Sequence, residues 1–303
     1  MSDTPPIEAV ILTWNSDHEI ERCLETLAAA MLEYDRGGII HVIDNGSTDN
    51  TLKVVEVTQA ELDGVEVKAH AMGKNTGTTV SRNFAMRKAT APYVLVADSD
   101  TEFPLDSVKA MVKRMEATPH AGLVAPQLYY PNGEEQENCR RFPTAKTKIL
   151  RTLVARTGWG ERWRFKDESY GPTPLRPVDC AISACWLLRR AAVDHVGYLD
   201  EEIFYSPEDT DYCLRLRLGG WKVIWDRQIK VVHHTKRLSH KGLFNSFARS
   251  HASGLKYFWR KHGFFWRRKN LYARFPEAPP VTTSVNPDPP VETPAKKEVP
   301  VRA

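Results

Sequence analysis

Asp98 and Asp100 stand one residue apart at the end of an apolar run, Tyr93-Val94-Leu95-Val96-Ala97. Two carboxylates carried by a strand to the edge of a sheet can hold a divalent cation. Asp, Ser and Asp also suit an ordinary turn, and the spacing alone leaves both readings open. A second acidic pair, Glu208-Asp209, follows Ser206-Pro207. Ser206 as N-cap and Pro207 at the first helical position put this pair in the first turn of a helix that Gly219-Gly220 ends. There the acids either offset the positive end of the helix dipole or, at a cleft, supply a general base. The third feature is His233-His234, after Val231-Val232. Side chains alternate faces along a strand, so one of the two histidines can serve a site as a metal or phosphate ligand. The plainer reading is one buried and one exposed histidine with no special role.

The elements around these residues position them. Residues 9–15 form an apolar strand, followed by Ser16-Asp17-His18-Glu19, the pattern of a capping box, and then by Ile20, Leu24, Leu27 and Met31 at helical spacing. A second strand (39–44) is followed by Asn45-Gly46-Ser47 and a helix through Val54 and Val55. A third strand (65–72), a Gly73–Gly77 loop and a helix (79–88) precede the strand that ends at Asp98. Strands alternating with helices, the strands long and apolar, predict a parallel sheet covered on both faces. Ligands bind at the carboxyl ends of such strands. Four polar groups follow them: Thr13 with Asn15, Asp44 with Asn45, Lys74 with Asn75, and Asp98 with Asp100. One crevice accounts for all four at once. Further on, the pattern predicts a helix over 105–117, a strand over 122–130, a weakly patterned polar stretch to about residue 176 suited to recognising a partner substrate, and short strands at 222–226 and at the paired histidines.

The 303 residues, 42% hydrophobic and 26% charged, make an ordinary soluble composition. No apolar run nears the roughly 20 residues needed to span a bilayer, and the N-terminus lacks the basic and small-residue signature of a secretory signal. Five scattered cysteines without a CxxC fit neither a disulfide framework nor a zinc site, and read as reduced thiols in a cytosol. A net charge of +4 excludes a strongly basic nucleic-acid binder. The charge is unevenly placed, however. Residues 254–275 interleave Lys and Arg with Tyr, Phe and Trp, as a packed helix or a membrane-surface segment would. From Pro276 onward there are eight prolines and no aromatic residue, a composition that predicts disorder.

Taken in order, "VILTWN", "IDNGSTDNT", "NTG", "SRN", "DSD", "SACWLLRR", "LDEEIFYSPEDTDYCLRLRLGGWKV" and "VVHH" resemble the family 2 glycosyltransferases, most closely the bacterial rhamnosyltransferase-like branch. The resemblance runs from about Ile7 to His262. It implies a GT-A fold, a Rossmann-like, mostly parallel sheet flanked by helices, here with a C-terminal basic and aromatic helical segment. The implied division is a nucleotide-sugar domain over 1–245, that segment over 246–275, and a proline-rich tail over 276–303. The implied activity is transfer of a sugar, with inversion, from dTDP-rhamnose or a UDP-sugar to a glycan or lipid-linked acceptor in surface polysaccharide synthesis. Extending a lipid-linked glycan suits an enzyme on the cytoplasmic face of the membrane, reached through 254–275.

By position, Thr13, Asn15 and Asp44, with Asn45 beside them, would cradle base and ribose, and Asn75 and Arg82 would lie near base and diphosphate. Asp98 would orient ribose and metal, and Asp100 would bind Mg²⁺ or Mn²⁺. Asp209, with Glu208 beside it, matches the acidic base motif. His233 matches the histidine that reaches the metal or diphosphate, with His234 the alternative. Two departures stand out. That branch often lacks an acid at the position of Asp98, which makes the metal more secure here and the rhamnose donor less so. The glycines that commonly follow the histidine are also missing. The rival readings are a non-catalytic glycan- or nucleotide-binding relative and a sugar-phosphate nucleotidyltransferase. Both acidic motifs are intact, which disfavours the first. "TWNSDHE" is not the Gly-rich, basic loop that the second needs.

Overall fold

The computed structural model describes residues 6–35, 37–144, 170–171, 173–235, 246–263 and 266–279, with the backbone alone over 246–252. The first half alternates as the apolar pattern predicts: β1 (Ile7–Thr13), α1 (Ile20–Tyr34), β2 (Ile39–Asp44), α2 (Thr51–Glu61), β3 (Glu66–Ala71), α3 (Gly77–Met86) and β4 (Tyr93–Asp98). There follow β5 (Thr101–Glu102), α4 (Ser107–Glu116), β6 (Ala121–Tyr129), β7 (Cys139–Arg140), β8 (Leu175–Val178), β9 (Cys180–Ala181) and β10 (Cys185–Arg189). The chain continues through α5 (Arg190–Val196), α6 (Glu208–Leu218), β11 (Lys222–His233), α7 (Ser246–His262) and α8 (Arg268–Tyr272).

The main sheet has the order β3-β2-β1-β4-β10-β6-β11-β5, with β8 also on β11. Strands β1 to β4 pair in parallel and β6 pairs in parallel with β11, while β10 runs antiparallel between β4 and β6. All seven residues of β1 are buried, as expected of a strand covered on both faces. Alternation then sorts the side chains. Tyr93, Leu95 and Ala97 join the apolar layer that includes α1 and α4, whereas Val94 and Val96 join the layer formed by α3, α5 and α6. Asp98 continues the second set, so its carboxylate leaves β4 on the side of α3 and α6. Ile20, Leu24, Leu27 and Met31 are each fully buried. At roughly 1.5–3 kcal/mol per large apolar side chain, that face holds α1 to the sheet.

Three local expectations are corrected. Ser16 does not close a capping box: the helix begins at Ile20 without a side-chain cap, and the Ser16 hydroxyl instead accepts from Ser99 Oγ (2.9 Å), a partner brought in by β4. The strand expected at 222–226 and the apolar run before the histidines are one twelve-residue strand, β11, whose register slips between Asp226 and Lys230. Finally, α6 starts at Glu208, with Pro207 as the preceding residue rather than the first helical one. All five cysteines are buried and unbonded to one another. Most of the polar stretch assigned to substrate recognition, residues 145–169 and 172, lies outside the described residues, as does the tail from 280.

Candidate active site

Register brings the strand ends together. Thr13 pairs with Asp44 and Leu12 with Asp98, so β2, β1 and β4 finish in line. At this edge Thr13 is 1% exposed, and its Oγ1 has no hydrogen-bond partner among the described residues. Buried hydroxyls are ordinarily hydrogen-bonded, and a polar group bound at this edge would satisfy this one. Asp44 lies beside it, buried, accepting from Ser47 N at 3.1 Å with acceptor capacity to spare. Asn15, in the left-handed region at φ 52°, accepts from Thr48 N (2.8 Å) and so ties the loop after β1 to the loop after β2.

Asn45 and Asn75 are occupied differently. Asn45 Oδ1 accepts from Thr76 N and Ser81 Oγ, both at 2.8 Å, and its Nδ2 donates to Asn75 Oδ1 at 3.1 Å. Asn75 Oδ1 also accepts from Gly77 N (3.0 Å). These amides close the 73–77 loop onto the end of β2. Gly77 completes the turn at φ +85°, where a Cβ would sit 2.4 Å from Phe204 O.

Arg82, expected beside base and diphosphate, is 2% exposed, with its guanidinium against the carboxyl groups of Asp98 and Glu208. Its Nη2 donates to Asp98 Oδ1, its Nη1 donates to Ser183 Oγ (2.9 Å) and lies 3.6 Å from Glu208 Oε1. Ser183 Oγ in turn donates to Glu208 Oε1 (3.0 Å). One guanidinium therefore joins the end of β4 to the start of α6. Burial pushes the Glu208 carboxyl up to about 8, Asp209 adds to the rise, and Arg82 opposes it. At neutral pH Glu208 mostly keeps its proton. Asp209 is half-buried; its Oδ1 accepts from Thr210 N (2.6 Å), and Oδ2 has no partner among the described residues. Asp209 is the more exposed of the two acids.

Asp98, Asp100 and His233 each offer one ligand atom, and the three atoms lie within 4.8 Å of one another. Two carboxylates and an imidazole at that spacing fit one divalent cation. His233 Nδ1 faces Gln136 Oε1 at 2.9 Å, an acceptor that keeps the proton on Nδ1 and leaves Nε2 toward Asp100 Oδ1 at 3.2 Å. Burial alone would lower the imidazole pKa; the hydrogen bond and charge of Asp100 outweigh it and hold it above its ordinary value. His234 turns the other way, to Glu102 Oε2 at 2.9 Å. Sequence reasoning missed Ser183 and Gln136. Ser183 opens the "SACWLLRR" motif without a role assigned to it, Gln136 lies in the weakly patterned stretch, and the fold brings both to the site.

A family model described as glycosyl transferase family 2 matches residues 8–197. The chain belongs to that family. It is a glycosyltransferase of the GT-A fold. It is 27% identical over 280 residues to the N-acetylglucosaminyl-diphospho-decaprenol L-rhamnosyltransferase of Mycobacterium tuberculosis, covering 88% of each protein. Among solved structures it is similar to GalNAc-T7 with UDP, GalNAc and Mn²⁺ (TM-score 0.62, 15% identity, 92% of this chain and 53% of that one). It is also similar to the mannosyltransferase PcManGT of Pyrobaculum calidifontis with GDP-Man and Mn²⁺ (TM-score 0.57, 18% identity, 89% and 68%). At those identities the structural likeness speaks for the fold. Within the glycosyltransferase, the family match takes in Thr13, Asp44, Arg82, Asp98 and Asp100 but stops before Glu208, Asp209 and His233.

Proposed function

We propose that this glycosyltransferase transfers a sugar, with inversion, from dTDP-rhamnose or a UDP-sugar to a hydroxyl of a glycan or lipid-linked acceptor in bacterial surface polysaccharide synthesis. The observation that carries the reading is the pairing, through Arg82, of an Asp-Asp-His cluster with an acidic helix start. The rhamnosyltransferase relative, whose name gives a diphospho-decaprenol acceptor, supports the acceptor class. Thr13, Asn15 and Asp44 hold base and ribose, and Asp98, Asp100 and His233 hold Mg²⁺ or Mn²⁺. The cation would neutralise charge on the departing diphosphate. Asp209 takes the proton of the acceptor hydroxyl as its oxygen bonds to the anomeric carbon. The anomeric C–O bond breaks, and its electron pair leaves on the diphosphate. With no covalent intermediate, attack opposite the leaving group inverts the centre. Incubating the chain with Mn²⁺ and a panel of nucleotide sugars tests this: release of nucleoside diphosphate from one donor, and faster with acceptor, is expected. Release from none, over folded protein, ends the reading.

No helix among the described residues is long and apolar enough to cross a membrane. We further propose a peripheral contact with the cytoplasmic face. Within the basic segment Phe258 and Leu271 belong to the core, Arg268 Nε donates to Phe142 O (2.7 Å) and Arg274 Nη1 to His262 O (2.9 Å). Lys256, Arg260, Arg267 and Lys269 remain exposed, with Trp266 at 52%. Each cation near an anionic surface contributes about 1 kcal/mol. Changing all four cations to Glu is therefore expected to lower co-sedimentation with phosphatidylglycerol vesicles by about 100-fold or more, and salt to release the unaltered chain. Equal binding by both chains, or binding to neutral vesicles alone, goes against the contact. Truncation after His251 would be a poorer test, because it also strips Phe258 from the core.

A further inference from the structure

Two residues after Asp209 on the same helix, Asp211 is fully buried. It accepts from Arg215 Nε at 2.9 Å, within its own helix, and from Lys261 Nζ and His262 Nε2, both at 2.7 Å, across the packing with α7. Lys261 reaches further: its Nζ also donates to Asp200 Oδ2 (2.5 Å), which accepts from Tyr257 OH as well (3.0 Å). Asp200 opens the loop that leads into α6, and Asp211 lies just beyond the acidic pair. One lysine thus spans both sides of the segment that carries Asp209.

Two turns before Lys261 on α7, Gly254 meets the backbone of the same segment. A Cβ there would stand 2.0 Å from Ser206 O and 3.0 Å from Pro207 Cδ, so no side chain fits. Gly254, Phe258 and Lys261 recur at the spacing of one helix face, and Phe258 is fully buried beside them. From the opposite side, α3 holds the same loop. Thr78 N donates to Phe204 O (2.8 Å) and Thr79 Oγ1 to Ile203 O (2.8 Å). The loop is clamped between the helix that closes the candidate donor cradle and the C-terminal helix.

We propose that α7 is the positioning element for the general base: Lys261, through Asp200 and Asp211, and Gly254, through the backbone at 206–207, set where Asp209 stands relative to the cation cluster. The inference rests on the reading of Asp209 as base. Burial by itself would raise the Asp211 pKa, and the His262 hydrogen bond with the charges of Arg215 and Lys261 holds it well below the carboxylate range, so the clamp stays ionised across the working pH. Lys261 and Gly254 contact Asp200, Asp211 and the backbone at 206–207, and so act on how well the acceptor hydroxyl meets its base. Displacing a catalytic group by about 1 Å can cost on the order of 100-fold.

The test uses the full chain as Lys261→Gln, Lys261→Arg and Gly254→Ala, with Asp209→Asn alongside. Transfer (kcat), donor KM, Mn²⁺-dependent nucleoside diphosphate binding and melting temperature are measured for each. For Lys261→Gln, kcat is expected to fall at least about tenfold, with donor KM and nucleotide binding within about threefold. Lys261→Arg should recover part of that loss. Placed on Asp209→Asn, Lys261→Gln should add no further loss, because a positioning residue has nothing left to position. A folded Lys261→Gln with unchanged kcat overturns the inference, as does a loss that multiplies in the double variant. Should Gly254→Ala not fold, the Lys261 pair still decides. If Asp209→Asn itself transfers normally, the base assignment has failed rather than the clamp alone, and the single variants tell the two apart.

Discussion

Asp100→Ala is expected to lower sugar transfer by at least about 100-fold, and excess EDTA to abolish it. The departing diphosphate develops negative charge, and removing one group that stabilises such charge typically costs 10²–10³-fold, about 2.7–4 kcal/mol. Asp100 is the cleaner of the two acids to change. Its side chain is 28% exposed and pairs with His233, which, unlike Arg82, can give up its proton when the acid is removed. Asp98→Ala should behave differently. Arg82 is 2% exposed and donates to Asp98, and losing that partner leaves a buried cation with Ser183 and Glu208 alone. Breaking a buried pair in this way is strongly destabilising, so Asp98→Ala should lower the melting temperature as well as the rate, while Asp100→Ala lowers the rate alone. In Asp100→Ala the binding of nucleoside diphosphate should also lose its dependence on Mn²⁺. Full turnover in EDTA, or Mn²⁺-dependent binding that survives the substitution, would remove the cation from the reading.

Asp209→Asn is expected to reduce transfer by about 10²–10⁴-fold, the range that general base catalysis contributes, with donor binding within about threefold. Asparagine keeps the shape and can still accept from Thr210 N, as Asp209 Oδ1 does, but it cannot take a proton. Glu208→Gln should be milder. Glu208 is already largely protonated at neutral pH, and glutamine can keep the Ser183 hydrogen bond that the buried acid makes. The pH profile adds an independent check. Were Glu208 the base, transfer would climb as pH rises through about 8, where that group gives up its proton. If Glu208 is not the base, Glu208→Gln should keep the profile of the unaltered chain. Normal turnover in Asp209→Asn together with collapse in Glu208→Gln would shift the assignment by one residue. If both turned over normally, the acids would only complement the helix dipole.

The alternation of strands and helices from Ile7 to Asp98 was legible in the sequence because buried strands and amphipathic helices leave period-specific apolar patterns. The same patterns put Thr13, Asp44 and Asp98 at strand ends, where register then aligns them. Motif order carried the family, and the family model bears it out. What the sequence could not determine were partnerships across long separations. Arg82 reads as a polar residue on a helix that faces a ligand. Only the packing of α3 over β1 and β2 puts its guanidinium against Asp98 and Glu208, 16 and 126 residues away. Ser16 reads as a helix cap, and a hydroxyl arriving from the end of β4 takes it instead. Neither histidine of the pair is favoured by composition; the pleat of β11 turns His233 to Asp100 and His234 to Glu102. The basic aromatic stretch is ambiguous for the same reason. Its hydrophobicity is visible along the chain, but whether Phe258 and Lys261 meet a membrane or α6 depends on which surface lies within reach, and tertiary packing alone brings α6 there.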